Sequence, residues 1–397
     1  MNNHKSENKI LILTGIYPPD IGGPATILKA LVESLEKNNF SVELVTYSDP
    51  ISKAFPDQKN IHRIRRNQFF LWQYLEYFLQ AFRLAVSANL IYVMDVYSVG
   101  YFAYLLKKIL GKKYIVRFAG DSAWETAVSN GWTNDYIVDF QQKNYDQRIE
   151  KLKERRKQIL ISADRVIAVS QFMAIIAGKI GVSKDKIKII YNSIDFFEHD
   201  NINLAKIQSI KQEYGQSAKL LITACRLTPW KGVDGIIRIL PGLSEKVGKV
   251  NLLVLGEGQE LENLKKLASS LNVKNNVYFL GKVTHQEIIN YFKAADLFVL
   301  NTNYEGLSHT ILEAMLAQVP IITTNAGGNP EVIEDGKDGL VVEYNNNEEL
   351  LAASLKILID EQLVKGLVLN ASRKLEDFRW DKTIDGTIQL LKEVKNE

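Results

Sequence analysis

The 397-residue sequence predicts an α/β protein made of two doubly wound, Rossmann-like domains, and three observations carry that prediction. Short apolar runs of strand character recur along the whole chain. Amphipathic helical patterns separate most of them, as repeated βα units of a parallel sheet require. The series lapses once, between Phe196 and Gln216, where periodicity weakens and polar residues dominate. The lapse marks a boundary between a first domain at 1–196 and a second at 197–378, with a final helix at about 379–397 expected to cross back to the first. At this length each half can bury its own core.

In the first half, strands are expected at Ile10–Leu13, Val42–Thr46, Ile61–Ile64, Leu90–Met94, Tyr114–Phe118, Arg165–Val169 and Ile187–Ile190. Helices are expected at Ala25–Lys37, Phe69–Val86, Val99–Leu110 and Gln171–Ile180. In the second half, strands are expected at Lys219–Ala224, Asn251–Leu255, Val277–Leu280, Leu297–Leu300, Pro320–Thr323 and Leu340–Val342. Trp380 opens the last amphipathic segment, which reaches Val394.

Composition narrows the function classes. A hydrophobic content of 46 % with 24 % charged residues is that of a soluble globular chain, and a formal charge of +3 is too small to imply nucleic acid. Basic residues cluster at His62–Arg66 and along Arg148–Lys157, and both read as solvated faces. The single cysteine, Cys225, excludes an internal disulfide, fits a reducing compartment and sits in an apolar run as a packing residue. No signal peptide opens the chain, and no stretch offers the roughly twenty uncharged apolar residues of a spanning helix, so a cytoplasmic protein is expected. The aromatic segment Phe69–Val86 is amphipathic; it reads first as a helix packing on the core, and second as a surface for peripheral contact with the inner face of a membrane.

Candidate site residues lie where strands end, because ligands of open parallel sheets sit beyond the carboxyl edge. After the strand Leu297–Leu300 comes a loop and helix start, Asn301–Glu313, in which the amides of Leu307, Ser308 and His309 can face an anion. Gly306 lends that loop freedom, and Glu305 and Glu313 bracket it with carboxylates suited to neutral hydroxyl partners. Taken singly, each Glu reads as an ordinary solvated residue. After Lys219–Ala224, Arg226 and Lys231 leave one loop as two fixed cations suited to a diphosphate. Gly256 and Gly258 follow the next strand and Gly281-Lys282-Val283 the one after, so four successive strands end in ligand-suited loops. In the first half, Gly22 and Gly23 precede Pro24 and the first helix, where backbone can approach a ligand.

The segments CRLTPWKG, LGEGQEL, FLGKV and NYEGLSHTILEAMLAQVPIITTNAGGNPEVIEDGKDGLVV, with IGGPA and ADRVIAVSQFM in the first half, resemble the retaining glycosyltransferases of family four, the glycogen-synthase-like group 1 set. The resemblance spans nearly the whole chain. It implies the GT-B fold, two domains facing a central cleft, and transfer of a hexose from a nucleoside diphosphate sugar of uridine or guanosine type to a glycan or lipid-linked acceptor. It implies that Arg226 and Lys231 bind the diphosphate, that Glu305 lies near the donor sugar and that Glu313 holds the ribose. Gly306, Leu307 and Ser308 would face phosphate and sugar, Gly256 and Gly258 would line the donor side, and Val283 would contact the base. Gly22 and Gly23 match the glycine loop near donor phosphate and acceptor. The family often carries a histidine where this chain reads Gly120-Asp121, and Asp121 is expected in that role, accepting from a sugar hydroxyl or orienting the acceptor. Cys225 and Gln318 stand where glycine is common.

The resemblance suggests front-face displacement with retention, without a covalent nucleophile. No D-x-D sequence occurs, and the two cations are expected to do the work of a metal bridge, with no cofactor beyond the donor. Domain closure on the donor is expected to exclude water. Three alternatives stay open: a nucleotide-sugar 2-epimerase of the same architecture, a non-catalytic nucleotide-sugar-binding subunit, and a dinucleotide-dependent dehydrogenase suggested by Gly256-Glu257-Gly258. The last is weakened because no acidic residue ends the next strand.

Overall fold

The computed structural model describes residues 8–20, 23–48, 59–66, 69–194 and 202–397. The chain folds as two compact units, Met1–Tyr191 with Asp381–Glu397, and Asn192–Trp380.

Unit 1 carries the strands β1 (Lys9–Thr14), β2 (Ser41–Ser48), β3 (Ile61–Arg65), β4 (Leu90–Val93), β5 (Tyr114–Phe118), β6 (Arg165–Ala168) and β7 (Ile187–Ile189). Among the described residues they form one parallel sheet in the order β3-β2-β1-β4-β5-β6-β7. Helices cover its faces, so strands such as β1, β4 and β5 are apolar almost throughout and buried along their length. Leaving β1, the chain moves outward through β2 and β3 and then returns to β4 on the other flank of β1. The carboxyl ends of β1 and β4 therefore flank the crevice where the strand order reverses, the standard ligand position of such sheets.

Unit 2 repeats this plan with β8 (Lys219–Ala224), β9 (Val250–Leu255), β10 (Val277–Gly281), β11 (Leu297–Leu300), β12 (Ile321–Thr324) and β13 (Leu340–Val342). The order is β10-β9-β8-β11-β12-β13, and every described pairing is parallel. Its reversal lies between β8 and β11. The core under this sheet gathers Leu221, Leu252, Val254, Val299 and Ile322 with Ile236, Ile237 and Leu240 from the helix Val233–Val247. Each unit thus has its own core, with about 1.5–3 kcal/mol available for each large apolar side chain taken out of water.

All expected strands form, but two expectations about the segments between them are corrected. The polar stretch Phe196–Gln216 contains a helix, Leu204–Tyr214, whose first turn is capped by the Asn203 side chain accepting from the Lys206 amide at 3.0 Å. Its weak periodicity follows from burying little more than Ile210. The basic run Arg148–Lys157 is not wholly solvated: it lies on the helix Gln147–Ser162, and Arg156 is buried at 3 % exposure. After β5 the chain turns at Ala119–Asp121 into the helix Ser122–Ser129. Gly22 lies outside the described residues, and Gly23 opens the helix Gly23–Lys37.

The helix Phe70–Ser87 buries one face and exposes the other. Its Tyr77 is fully buried, and its hydroxyl lies 3.0 Å from the Thr14 amide and 2.7 Å from the Val45 carbonyl, tying the helix to the ends of β1 and β2. On the opposite side Leu71, Trp72, Leu75, Leu79 and Val86 are exposed. The last helix, Trp380–Asn396, belongs to unit 1 from Asp381 onward, where Thr383 donates to the Tyr191 carbonyl at 2.8 Å. Among the described residues no helix is long and apolar enough to cross a membrane.

Candidate functional site

The reversal crevice of unit 2 brings together side chains far apart in sequence. β8 leads through Cys225, Arg226 and Leu227 into a single helical turn, Pro229–Lys231, and β11 leads into Asn301–Ser308. Because β8 and β11 are neighbours, these loops lie side by side and are stitched together. Asn301 Nδ2 donates to the Gly232 carbonyl at 2.9 Å, the Asn303 amide donates to the Trp230 carbonyl at 2.7 Å, and the Thr302 hydroxyl lies 3.0 Å from that same carbonyl. This scaffold fixes Lys231, whose Nζ forms an ion pair with Glu305 Oε1. Both side chains are largely buried, at 9 % and 15 % exposure. The reading of Glu305 as an ordinary solvated residue therefore fails, because the loop is clamped: the Gly328 amide donates to the Glu305 carbonyl at 2.9 Å.

Arg226 is exposed on the same loop, so one buried and one exposed cation stand after β8. The helix His309–Ala317 starts here, capped by Ser308, whose Oγ accepts the Ile311 amide at 3.3 Å. Asn192 holds the preceding turn by donating to the Leu307 carbonyl at 2.9 Å. Gly306 and Leu307 are buried in that turn, with the positive end of the helix dipole behind it. Glu313, read singly as a surface residue, is only 5 % exposed. The arrangement offers cationic heads and a helix N-terminus to an anion, with carboxylates at hand for hydroxyl groups.

Gly256 and Gly258 are explained by the chain itself. A Cβ on Gly256, which has φ +124°, would sit 1.9 Å from the Cys225 carbonyl oxygen, and one on Gly258 would sit 2.2 Å from that of Leu227. The close approach these glycines permit is that of the Arg226 loop, and the Gly256 amide already donates to the Gly281 carbonyl at 2.8 Å. Their part is to seat Arg226. Val283 is half-buried beyond β10. Cys225 packs against the core, and burial pushes its thiol up to about 11, which keeps it protonated and unreactive near neutrality. Among the described residues no three His, Cys, Asp or Glu side chains group as a metal site.

Asp121 is the principal correction. It is fully buried and caps the helix Ser122–Ser129: Oδ1 accepts the amides of Ala123 at 3.0 Å and Trp124 at 3.2 Å. Oδ2 accepts from Gln141 Nε2 at 2.9 Å and from the Arg156 guanidinium. A carboxylate has about four acceptor directions, and protein donors fill them, so no oxygen is left for a sugar hydroxyl. Asp121 is a positioning residue that caps a helix and anchors Arg156.

The crevice of unit 1 holds a carboxylate that sequence reasoning missed. Asp95 stands two residues beyond β4 and accepts hydrogen bonds from the backbone of Tyr97, at 2.9 Å, and of Gly15, which follows β1. Burial pushes its carboxyl up to about 6. The signal was present, since Asp95 directly follows the apolar run Leu90–Met94, the same strand-end position that singled out Arg226 and Glu305.

Two family models match the chain: Glycosyl transferases group 1 over residues 206–374, and Glycosyltransferase Family 4 over residues 21–196. N-acetyl-alpha-D-glucosaminyl L-malate synthase of Bacillus anthracis is 25 % identical over 92 % of this chain and 92 % of its own. Alpha-monoglucosyldiacylglycerol synthase of Streptococcus pneumoniae is 25 % identical over 96 % of this chain and 87 % of its own. Among solved structures, Anabaena Alr3699/HepE in complex with UDP-glucose superposes with a TM-score of 0.78 at 20 % identity, covering 97 % of this chain and 99 % of that one.

Proposed function

The chain belongs to the group 1 glycosyltransferases of family four, enzymes of the GT-B fold, and from that premise we propose that it transfers a hexose from a nucleoside diphosphate sugar to an acceptor hydroxyl with retention at the anomeric carbon. The observation that carries the reading is the convergence of Arg226, Lys231, Glu305 and the start of the helix His309–Ala317 on the unit 2 crevice. Two cations and a helix N-terminus match the charge of a departing diphosphate, and such fixed groups are typically worth about 3–4 kcal/mol each in a transition state. The Lys231–Glu305 pair suits this task. Glu305 holds the ammonium in place before the donor arrives and then offers its second oxygen to a donor-sugar hydroxyl. Glu313 and Val283 are assigned to ribose and base, and Gly306, Leu307 and Ser308 to the phosphate turn. In this reading the cations take the place of a metal bridge.

The donor is of the uridine or guanosine type; the solved structure bound to UDP-glucose supports the first. The acceptor belongs to glycan or glycolipid synthesis. Relatives of equal identity are named for a malate and for a diacylglycerol product, so likeness alone leaves the acceptor to the residues of unit 1. The exposed stripe on the helix Phe70–Ser87 supports a peripheral membrane position.

The test is a panel of nucleotide sugars, read first by melting temperature and then by release of nucleoside diphosphate. One donor should raise the melting temperature and be turned over, even slowly by water, because a ligand that binds only the native state stabilises it. No stabilisation by any donor would refute the assignment, and stabilisation without diphosphate release would favour a binding subunit.

A further inference from the structure

Four stretches of unit 1 line a cavity of about 170 Å³ at the carboxyl edge of its sheet, and the helix Phe70–Ser87 contributes Tyr74 to it. The loop after β4 contributes Tyr97 and Ser98, the helix after β5 contributes Ser122 and Thr126, and the helix Gln147–Ser162 contributes Arg155 and Arg156. The volume exceeds the roughly 30 Å³ share of one water several-fold. Its polar lining is hydroxyl and guanidinium; the Ser122 hydroxyl already donates to the Val96 carbonyl at 3.3 Å, and the two guanidinium groups are the lining members that can only donate.

The two arginines differ in a telling way. Arg156 is held by the Asp121 carboxylate at one end, yet its buried Nε–H has no acceptor among the described residues. An orphaned donor on a buried guanidinium costs on the order of 1–3 kcal/mol or more, so its acceptor is expected from outside the chain. Arg155 lies over the Tyr101 ring at 4.1 Å and makes no ion pair among the described residues. Ring stacking fixes the plane of its guanidinium while leaving its N–H fork open. The carboxylate beside the cavity, Glu125, accepts from the Tyr97 hydroxyl at 3.1 Å.

We propose that this cavity anchors the acceptor by an oxyanion, a phosphate or a carboxylate, and so restricts the enzyme to anionic acceptors. The inference rests on the glycosyltransferase reading and adds the acceptor's chemical class to it. Arg155 and the Arg156 Nε–H receive the anion oxygens, with Thr126 as a further donor. Asp121 then acts through Arg156, holding the guanidinium that the anion meets.

Calorimetric titration of the full chain saturated with UDP tests this. The probes are glycerol 3-phosphate, L-malate and neutral glycerol. One of the two anions should bind saturably and glycerol should not. Arg155→Gln should weaken the anion at least tenfold, whereas Lys157→Gln, an exposed cation outside the cavity, should stay within twofold of wild type. Whichever anion binds identifies phosphate or carboxylate as the anchor. Failure of both anions to bind, equal binding of glycerol, or wild-type affinity in Arg155→Gln would overturn the proposal. UDP and GDP binding are measured first by themselves, and GDP replaces UDP in the titration if it is the one that binds: a chain that ignores both overturns the donor reading, while the Arg155 dependence of anion binding, repeated without nucleotide, still decides the cavity.

Discussion

Side chains of the same type stand at strand ends in both units, and their surroundings decide what each can do. Asp95 and Asp121 both follow strands of unit 1, but Asp121 is saturated by protein donors whereas Asp95 accepts two backbone amides and is pushed up to about 6 by burial. The linkage has a definite sign. A carboxyl whose pKa is raised from 3.8 to about 6 on folding contributes stability that is complete below about pH 4 and lost as pH climbs through 6. Asp95→Asn mimics the protonated form at every pH. Thermal melts should therefore show the variant more stable than wild type at pH 7.5, by up to about 3 kcal/mol, with the difference vanishing near pH 4. A constant difference across that range would mean that Asp95 does not titrate as described. At this scale the sequence was legible for Arg226, Lys231 and Glu305, because strand-end position and residue type suffice to nominate them. It was not legible for Arg156 or Asp121, since a buried pair 35 residues apart shows no local signal in a run that otherwise looks like a solvated basic face.

Among the elements, the helix Phe70–Ser87 departs most from its first reading. Its core face is real, with Tyr77, Ala81 and Ala85 fully buried, but its aromatic and aliphatic excess lies outward. Leu71, Trp72, Leu75, Leu79 and Val86 fall within about 100° of one another on a 3.6-residue period. Arg83 is exposed on the same helix, and the neighbouring helix Ser98–Leu110 exposes Ile109 and Lys108 near its end. An apolar stripe bordered by these cations, with the exposed carboxylate Glu76 beside Arg83, can lie on an anionic bilayer surface. Wild type should co-sediment with vesicles containing phosphatidylglycerol, less so at high salt. Trp72→Ser combined with Leu79→Ser should reduce the bound fraction at least tenfold without lowering the melting temperature, because neither side chain packs in the core. Equal sedimentation of both proteins would remove the helix from membrane contact. Amphipathicity was readable from the sequence, but which side a helix with apolar residues on both faces turns to the sheet depends on Tyr77 reaching the backbone ends of β1 and β2.

For the whole molecule, the two units repeat one solution: a parallel sheet whose strand order reverses beside its first strand, with functional groups gathered at that reversal. The thirteen strands among the described residues were legible because parallel strands covered on both faces read as continuous apolar runs. The gathering itself was not, because spacing in sequence does not say that β8 adjoins β11 and so sets Lys231 against Glu305, 74 residues away. The central claim is that this reversal of unit 2 grips the donor diphosphate. The most direct measurement is calorimetric titration of UDP and GDP into the full chain and into its Arg226→Ala and Lys231→Ala variants. One nucleotide should bind at a single site, and each variant should lose roughly 10- to 100-fold in affinity, the effect of removing a charged hydrogen bond to phosphate. Undiminished affinity in both variants would contradict the account.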